Sequence, residues 1–292
     1  MELKKSNQVG SKLEYKHKFF IITTACMTIF IVFTTILHHA YPDVLNVPNT
    51  RGPYTSDNIL FELVITDIII LLLSAAVFYH SLKTHGLIRS TCFFYGSIIF
   101  TGLQECFWIL TGRFNVFSQV TYYFTKGGLW FLEIPLYTCL GWYILAWCCV
   151  SVAHTIFRNR NYIFHAIIAG IMATSLDLFI DPVMINRGSN SIYSDSLGLW
   201  VWLTDISDRF SIFSIPFGNF FGWFMVIALF AILYGFVLSD KKIEQKKIKK
   251  SANTFFYLIP INLAICFAFI IVSQLTIDIL FKGINLIPIG LV

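Results

Sequence analysis

Two aspartates stand four residues apart near the end of an apolar stretch: Asp177 and Asp181 in AIIAGIMATSLDLFIDPVMIN, residues 166–186. An i,i+4 pair lies on one helical face, and Pro182 is expected to stop that helix just after the second acid. In a bilayer an ionised carboxylate costs about 2.5–3.5 kcal/mol at mid-depth and less near the ends. Such acids must be used or partnered. Desolvated carboxyls that lie close together cannot all ionise, so at least one keeps a proton at neutral pH. A protonated acid facing an apolar pocket can protonate an alkene. The tertiary cation that results needs anionic and aromatic neighbours, and then either water or its exclusion.

The elements that position these acids follow from composition. The chain has 292 residues, 57% of them hydrophobic and 13% charged, with a mean hydropathy of +0.72. A soluble domain carries about a quarter charged residues, so this is an integral membrane protein. The seven cysteines all fall inside apolar runs and read as small core residues, with neither a disulfide framework nor metal-ligand spacing. The net charge of +5 comes largely from loop lysines and does not point to nucleic acid.

Seven apolar runs are long enough to cross a ~30 Å core: about 19–37, 59–79, 89–110, 128–153, 162–181, 216–238 and 254–281. Residues 1–18 form a basic N-terminal segment, and 19–292 form one transmembrane domain. The first run is long for a signal peptide and reads as an uncleaved span. No internal repeat stands out. With the N-terminus inside, fifteen of the 21 lysines and arginines lie on the inner side and six on the outer. That bias gives an N-inside, C-outside, multi-pass protein of the cell membrane. The run KKIEQKKIKK (241–250) reads as an inner loop that fixes orientation and meets anionic headgroups. The long connection from Val183 to Ile215 contains Trp200, Trp202, Asp205, Asp208 and Arg209 and reads as a segment lying in the interface.

This topology gathers polar residues from several spans in the outer half. Asp177 and Asp181 end span five. Gln104 and Glu105 lie near the outer end of span three, and Glu133 and Pro135 fall in the first turns of span four. Glu62 and Asp67 start span two, and Asn219 and Trp223 start span six. The inner halves of spans one, two, four and six are almost free of ionisable residues. Trp200, Trp202, Trp223 and Tyr122 can supply π faces to a cation. Each residue also has a plainer reading. Asp181-Pro182 can simply end a helix, Glu105 can pair with Arg113, and Glu133 can pair with Lys126. Asn219 can satisfy a helix N-terminus, and tryptophans near a boundary are usually belt residues. Asp67 and Asp278 are single acids on apolar spans and can bond a neighbouring serine or threonine.

Several chemistries do not fit. Seven scattered histidines do not make a di-iron hydroxylase. There is no HExxH zinc motif, no nucleotide-binding glycine loop and no GxSxG elbow. The last span has no lysine for a retinal Schiff base. The DLFID spacing is similar to the aspartate pairs of membrane prenyltransferases, but no second DxxxD motif accompanies it.

Five segments together resemble a known family. They are GLQE (102–105), GLWFLEIPLYTCLGW (128–142), ATSLDLFIDP (173–182), WVW (200–202) and PFGNFFGW (216–223). In this order they are similar to the membrane carotenoid biosynthesis proteins that include bisanhydrobacterioruberin hydratase and γ-carotene 1′-hydratase. The resemblance implies a polytopic enzyme, a hydro-lyase that adds water to the terminal C1=C2 double bond of an acyclic carotenoid end without cofactor or metal. Carried over by position, it puts the acids on Glu105, Asp177 and Asp181, with Trp200, Trp202, Pro216, Asn219 and Trp223 as companions. Two departures bear on substrate. The stretch after Glu105 keeps only Gly112, Tyr122 and Tyr123 of the family's Pro/Gly/Tyr character, and Glu133 stands where a small or apolar residue is expected.

The expected fold is therefore an all-α bundle of about seven transmembrane helices with a pocket open to lipid. The expected catalytic residues are Glu105, Asp177 and Asp181. Tyr122, Glu133, Trp200, Trp202, Pro216, Asn219 and Trp223 are expected to bind the substrate, a carotenoid or other polyprenyl lipid. Two other functions use the same residues. A terpenoid cyclase or isomerase would protonate and exclude water. A transport or lipid-binding protein would use the acids to hold a cation or proton, although broken helices and inverted repeats are not evident.

Overall fold

The computed structural model describes residues 14–40, 57–114, 122–124, 127–189, 200–202, 209–213, 215–238 and 245–286. Seven helices run through them: α1 (Tyr15–Ala40), α2 (Asp57–His85), α3 (Leu87–Arg113), α4 (Leu136–Ile156), α5 (Tyr162–Ser189), α6 (Phe217–Leu238) and α7 (Gln245–Leu280). All seven are long and apolar enough to cross a membrane. Helices dominate because a helix satisfies its own backbone hydrogen bonds, which lipid cannot do.

Burial separates inner from outer helices. Of the α3 and α6 spans 67% is buried, against 11% of α1 and α2. The outer helices turn Ile22, Ile29, Leu72 and similar side chains outward, as a lipid-facing surface requires. The centre is aromatic. Phe93 of α3 meets Tyr143, Trp147, Phe230 and Tyr234 edge-on, at centroid distances of 4.9–6.1 Å. Such T-shaped contacts suit the aromatic quadrupole.

Among the described residues six short strands interrupt the helical pattern: β1 (Tyr122–Phe124), β2 (Trp130–Phe131), β3 (Ile134–Pro135), β4 (Trp200–Trp202), β5 (Ser211–Ile212) and β6 (Ile215–Pro216). They pair antiparallel as β1–β4, β2–β3 and β5–β6. The β2–β3 hairpin corrects the expected start of the fourth span at 128. Pro135 occupies the N-cap with φ −59° and ψ 139°, so the helix begins at Leu136, and the preceding residues fold back through Leu132 at φ 53°. The hairpin is braced by α1. Thr34 Oγ1 donates to the Trp130 carbonyl at 2.5 Å, the Trp130 amide donates to Thr35 Oγ1 at 2.9 Å, and His38 stacks on the Trp130 ring at 4.0 Å.

Two more expectations change. Pro182 does not end its helix, since α5 continues to Ser189. A proline costs a helix one backbone bond, and transmembrane helices tolerate this where neighbours are close. The lysine run is not wholly a loop, because α7 begins at Gln245 and carries Lys247, Lys249 and Lys250 in its first turns; Lys241 and Lys242 lie outside the described residues. The 36 residues of α7 reach ~54 Å, well beyond a ~30 Å core, which leaves those lysines room to stand clear.

The structure also exposes an internal repeat, marked in the sequence only by a short recurring spacing. Phe131-Leu132-Glu133-Ile134-Pro135 leads into α4, and Ile212-Phe213-Ser214-Ile215-Pro216 leads into α6. Leu132 and Phe213 have matching positive φ values, 53° and 54°. Both helices then carry Gly-Trp at the same spacing from the proline, Gly141-Trp142 and Gly222-Trp223. Each repeat is a helix, a strand, a hairpin and a second helix: α3–β1–β2–β3–α4 and α5–β4–β5–β6–α6. The β1–β4 pairing joins the two repeats.

The most extensive helix interface is α5–α6. It depends on Gly170, where an added Cβ would stand 2.9 Å from the Phe224 carbonyl oxygen. That carbonyl belongs to backbone and cannot yield cheaply. Gly170→Ala is expected to destabilise the protein by about 1–3 kcal/mol, read as a lower melting temperature in detergent. Gly141→Ala, which meets nothing within 4 Å, is expected to leave it unchanged. Equal effects of the two substitutions would contradict this account of the interface.

Candidate functional site

The site forms where α3, α5 and α7 end and α4 and α6 begin. Asp177 and Asp181 share one face of α5 and point at α6; they are 0% and 2% exposed. The β5–β6 hairpin delivers the chain into α6 at Phe217, which places Asn219 in its first turn. Asn219 Nδ2 donates to Asp177 Oδ2 at 2.9 Å and to Asp181 Oδ2 at 2.6 Å. The two carboxyls face the same amide group. One neutral amide thus ties both acids, and an amide has two N–H donors to give.

Glu105 approaches from α3. It is buried, and its Oε1 accepts a hydrogen bond from Trp142 Nε1 of α4 at 3.1 Å. It interacts electrostatically with both aspartates. The Trp142 ring packs against Trp223 of α6 at a centroid distance of 4.3 Å. These are the paired tryptophans of the two repeats. Each repeat therefore brings one tryptophan and its own acids to the same place.

These groups surround a cavity of about 150 Å³. Glu105, Trp142, Asn219 and Trp223 line it, with Tyr122 and Pro216 above and Ile270, Ile271 and Leu275 of α7 along one side. Leu275 is exposed on the outer surface of the bundle. The two aspartates are not in the lining, because Asn219 stands between them and the cavity. The polar rim is Arg209 and Gln274. Arg209 pairs with Asp278 at 3.8 Å, and Asp278 Oδ1 accepts from the Phe210 amide at 3.0 Å and from Gln274 Nε2 at 2.6 Å. Gln274 Oε1 in turn accepts the Gly218 amide N–H. A Cβ at Gly218 would press on that oxygen, so a larger residue next to Asn219 would displace the Gln274 side chain.

Most of the residues singled out in the sequence meet here: Glu105, Asp177, Asp181, Asn219, Tyr122, Pro216 and Trp223. Glu133 does not line the cavity. It sits buried in the turn of the β2–β3 hairpin, since that segment is not helical. The backbones of Trp202 and Trp200 pair with those of Tyr122 and Phe124; their side chains lie outside the described residues, as do those of Arg113, Glu62 and Lys126. Asp67 accepts the Gly128 amide N–H rather than bonding a serine or threonine, and Asp278 anchors the rim. Sequence reasoning missed Trp142, Gln274 and the role of Arg209. The repeated Ile-Pro…Gly-Trp spacing was the available signal for Trp142. Gln274 and Arg209 carried none. Among the described residues, no group of three or more His, Cys, Asp or Glu side chains is arranged to hold a metal ion.

Removing the bridging amide isolates two buried acceptors. Asn219→Leu is expected to cost about 1–3 kcal/mol, seen as a lower melting temperature in detergent. Adding Asp177→Asn to that variant supplies a new amide next to Asp181 and is expected to restore part of the loss. Strictly additive losses would show that the three side chains are not coupled.

No curated protein and no solved structure matches the chain significantly. A family model described as "Carotenoid biosynthesis protein" matches residues 65–288, which takes in six of the seven helices and every residue of the site. This multi-pass membrane chain belongs to the carotenoid biosynthesis protein family.

Proposed function

We propose that the protein is a cofactor-independent hydratase acting on the terminal double bond of an acyclic carotenoid end. The observation that carries this reading is the placement of Glu105. It is the one carboxyl among the described residues that lines the cavity, and it bonds the indole N–H of Trp142, whose ring packs against Trp223, with two more acids behind an amide.

In this reading protonated Glu105 donates to the less substituted alkene carbon. A C–H bond forms, the π bond breaks, and a tertiary cation is left on the neighbouring carbon. Trp142 and Trp223 meet the cation with their π faces. Asp177 and Asp181 lower its energy through space, and because Asn219 already orients them, little reorganisation accompanies the reaction. Water adds to the cation, a C–O bond forms, and the proton released returns to the carboxyl set, so that Glu105 is regenerated. The polar rim of Arg209 and Gln274, with Thr111 also in the lining, favours water entry, and hence hydration over the cyclase or isomerase outcome. The long apolar remainder of the substrate extends past Ile271 and Leu275 toward lipid. Read with the positive-inside rule, the site end of the bundle faces away from the cytoplasm. The opposite end carries Lys83, Arg89, Arg158, Arg160 and the lysines of α7.

The test is pigment analysis in a bacterium engineered to accumulate lycopene. Expression of the chain is expected to yield a pigment heavier by one water. Glu105→Gln, expressed to the same membrane level, is expected to reduce it by about 10²–10⁴-fold, the range for a general acid. An isomer of unchanged mass would make the protein a cyclase or isomerase. Undiminished hydration by Glu105→Gln would remove Glu105 as the acid.

A further inference from the structure

Gln104 stands next to Glu105 on α3 and lines the same cavity. It is 5% exposed, and its Oε1 is buried without a hydrogen-bond partner. Most of the polar side chains around the cavity are engaged, and the other unpartnered oxygen at the site, Asp177 Oδ1, lies on a residue outside the cavity lining. Trp142 holds Glu105, the Trp108 carbonyl accepts from Thr111, and the aspartates hold Asn219. Asp278 holds Arg209, and Gly218 and Asp278 hold Gln274. Among the described residues, nothing holds the Gln104 amide.

A buried polar group left unmade is costly, and native proteins keep few of them. Where one occurs in a roomy polar site, an ordered water is the usual partner. The cavity of about 150 Å³ exceeds the ~30 Å³ that one water occupies. We propose that the side-chain amide of Gln104 holds the water that adds to the polyene cation. This rests on the hydratase reading above and assigns the nucleophile within it. The chemistry of the residue suits the task. An amide accepts and donates hydrogen bonds but carries no charge and does not titrate. It can orient a water without taking the proton from Glu105. Adjacent helical residues are turned by ~100°, so amide and acid flank the alkene instead of competing for one spot. The water oxygen forms the new C–O bond. Its released proton passes to the carboxyl set that lost one to the alkene.

The experiment separates protonation from hydration. Membranes carrying the wild-type chain, Gln104→Met or Gln104→Leu are incubated with lycopene in D₂O. Hydrated product and deuterium in recovered lycopene are both measured by mass spectrometry. Both variants are expected to keep wild-type stability in detergent, since an apolar side chain replaces an unpartnered amide. They are expected to lose hydrated product at least tenfold while recovered lycopene still gains deuterium, because the cation forms and collapses by losing a proton. Undiminished hydration in the variants overturns the assignment. So does loss of deuterium uptake together with hydration, which would place the amide in protonation. So does failure of both variants to fold, which would make the amide structural. A wild-type chain that neither hydrates nor exchanges overturns the hydratase reading itself, and that outcome is visible before any variant is compared.

Discussion

One amide holds the site together. Asp177 and Asp181 are almost completely buried in the helical bundle, and Asn219 Nδ2 reaches both. Without it, two acceptors would stand unmade in a low-dielectric interior, where such a loss is most expensive. Much of the surrounding structure exists to keep that amide in place. Gly170 lets α5 approach α6 to backbone contact. The β5–β6 hairpin fixes where α6 begins. Gln274 grips the amide N–H of Gly218, one residue before Asn219, and is itself held by Asp278. A change in α7 can therefore reach the aspartates on α5 through three hydrogen bonds.

The repeat gives this arrangement its logic. A hairpin ending in Ile-Pro sets the start of both α4 and α6, and a tryptophan seven residues after each proline turns inward. The two rings meet at 4.3 Å. The repeats differ in what surrounds them. The first repeat places one acid, Glu105, in the cavity wall and ties it to its own tryptophan. The second places two acids behind an asparagine. Thr138, which occupies in α4 the position of Asn219 in α6, cannot bridge two carboxyls with a single hydroxyl. The departure from symmetry therefore falls at the position that decides how many acids can be buried.

Much of the fold was legible from the sequence, because a bilayer makes long apolar runs the dominant signal. All seven spans coincide with apolar runs that hydropathy alone picks out. The fourth span shows the limit. Gly128–Phe131 is apolar enough to pass as the start of a helix, but Pro135 fixes the N-cap, and the residues before it fold onto α1 through contacts with Thr34 and Thr35 that hydropathy does not encode. Glu133 moved out of the site for that reason. Pro182 shows the opposite error: a proline rule drawn from water overstates the break where neighbouring helices pack closely. For the site, the rarity of acids in apolar spans brought Glu105, Asp177, Asp181 and Asn219 together. Trp142 was marked only by the repeated Ile-Pro…Gly-Trp spacing, and Gln274 carried no signal, because a glutamine near the end of a span is common and only its contact in space distinguishes it.

The division between the acids also bears on why there are three. In the hydratase reading, the carboxyl that gives and recovers a proton needs access to substrate and water, and Glu105 is the one placed in the cavity wall. A carboxyl that stabilises charge needs a fixed position and no competing solvent. In that reading Asp177 and Asp181 are suited to this role, since Asn219 holds one oxygen of each and neither lines the cavity. Placing all three in the wall would let water screen the charge and let the acids exchange roles. Placing all three behind the asparagine would leave no donor within reach of an alkene. In the proposed mechanism this split keeps the proton donor in the cavity wall and the other two acids behind the asparagine, with Trp142 and Trp223 lining the cavity between Glu105 and the apolar side chains of α7.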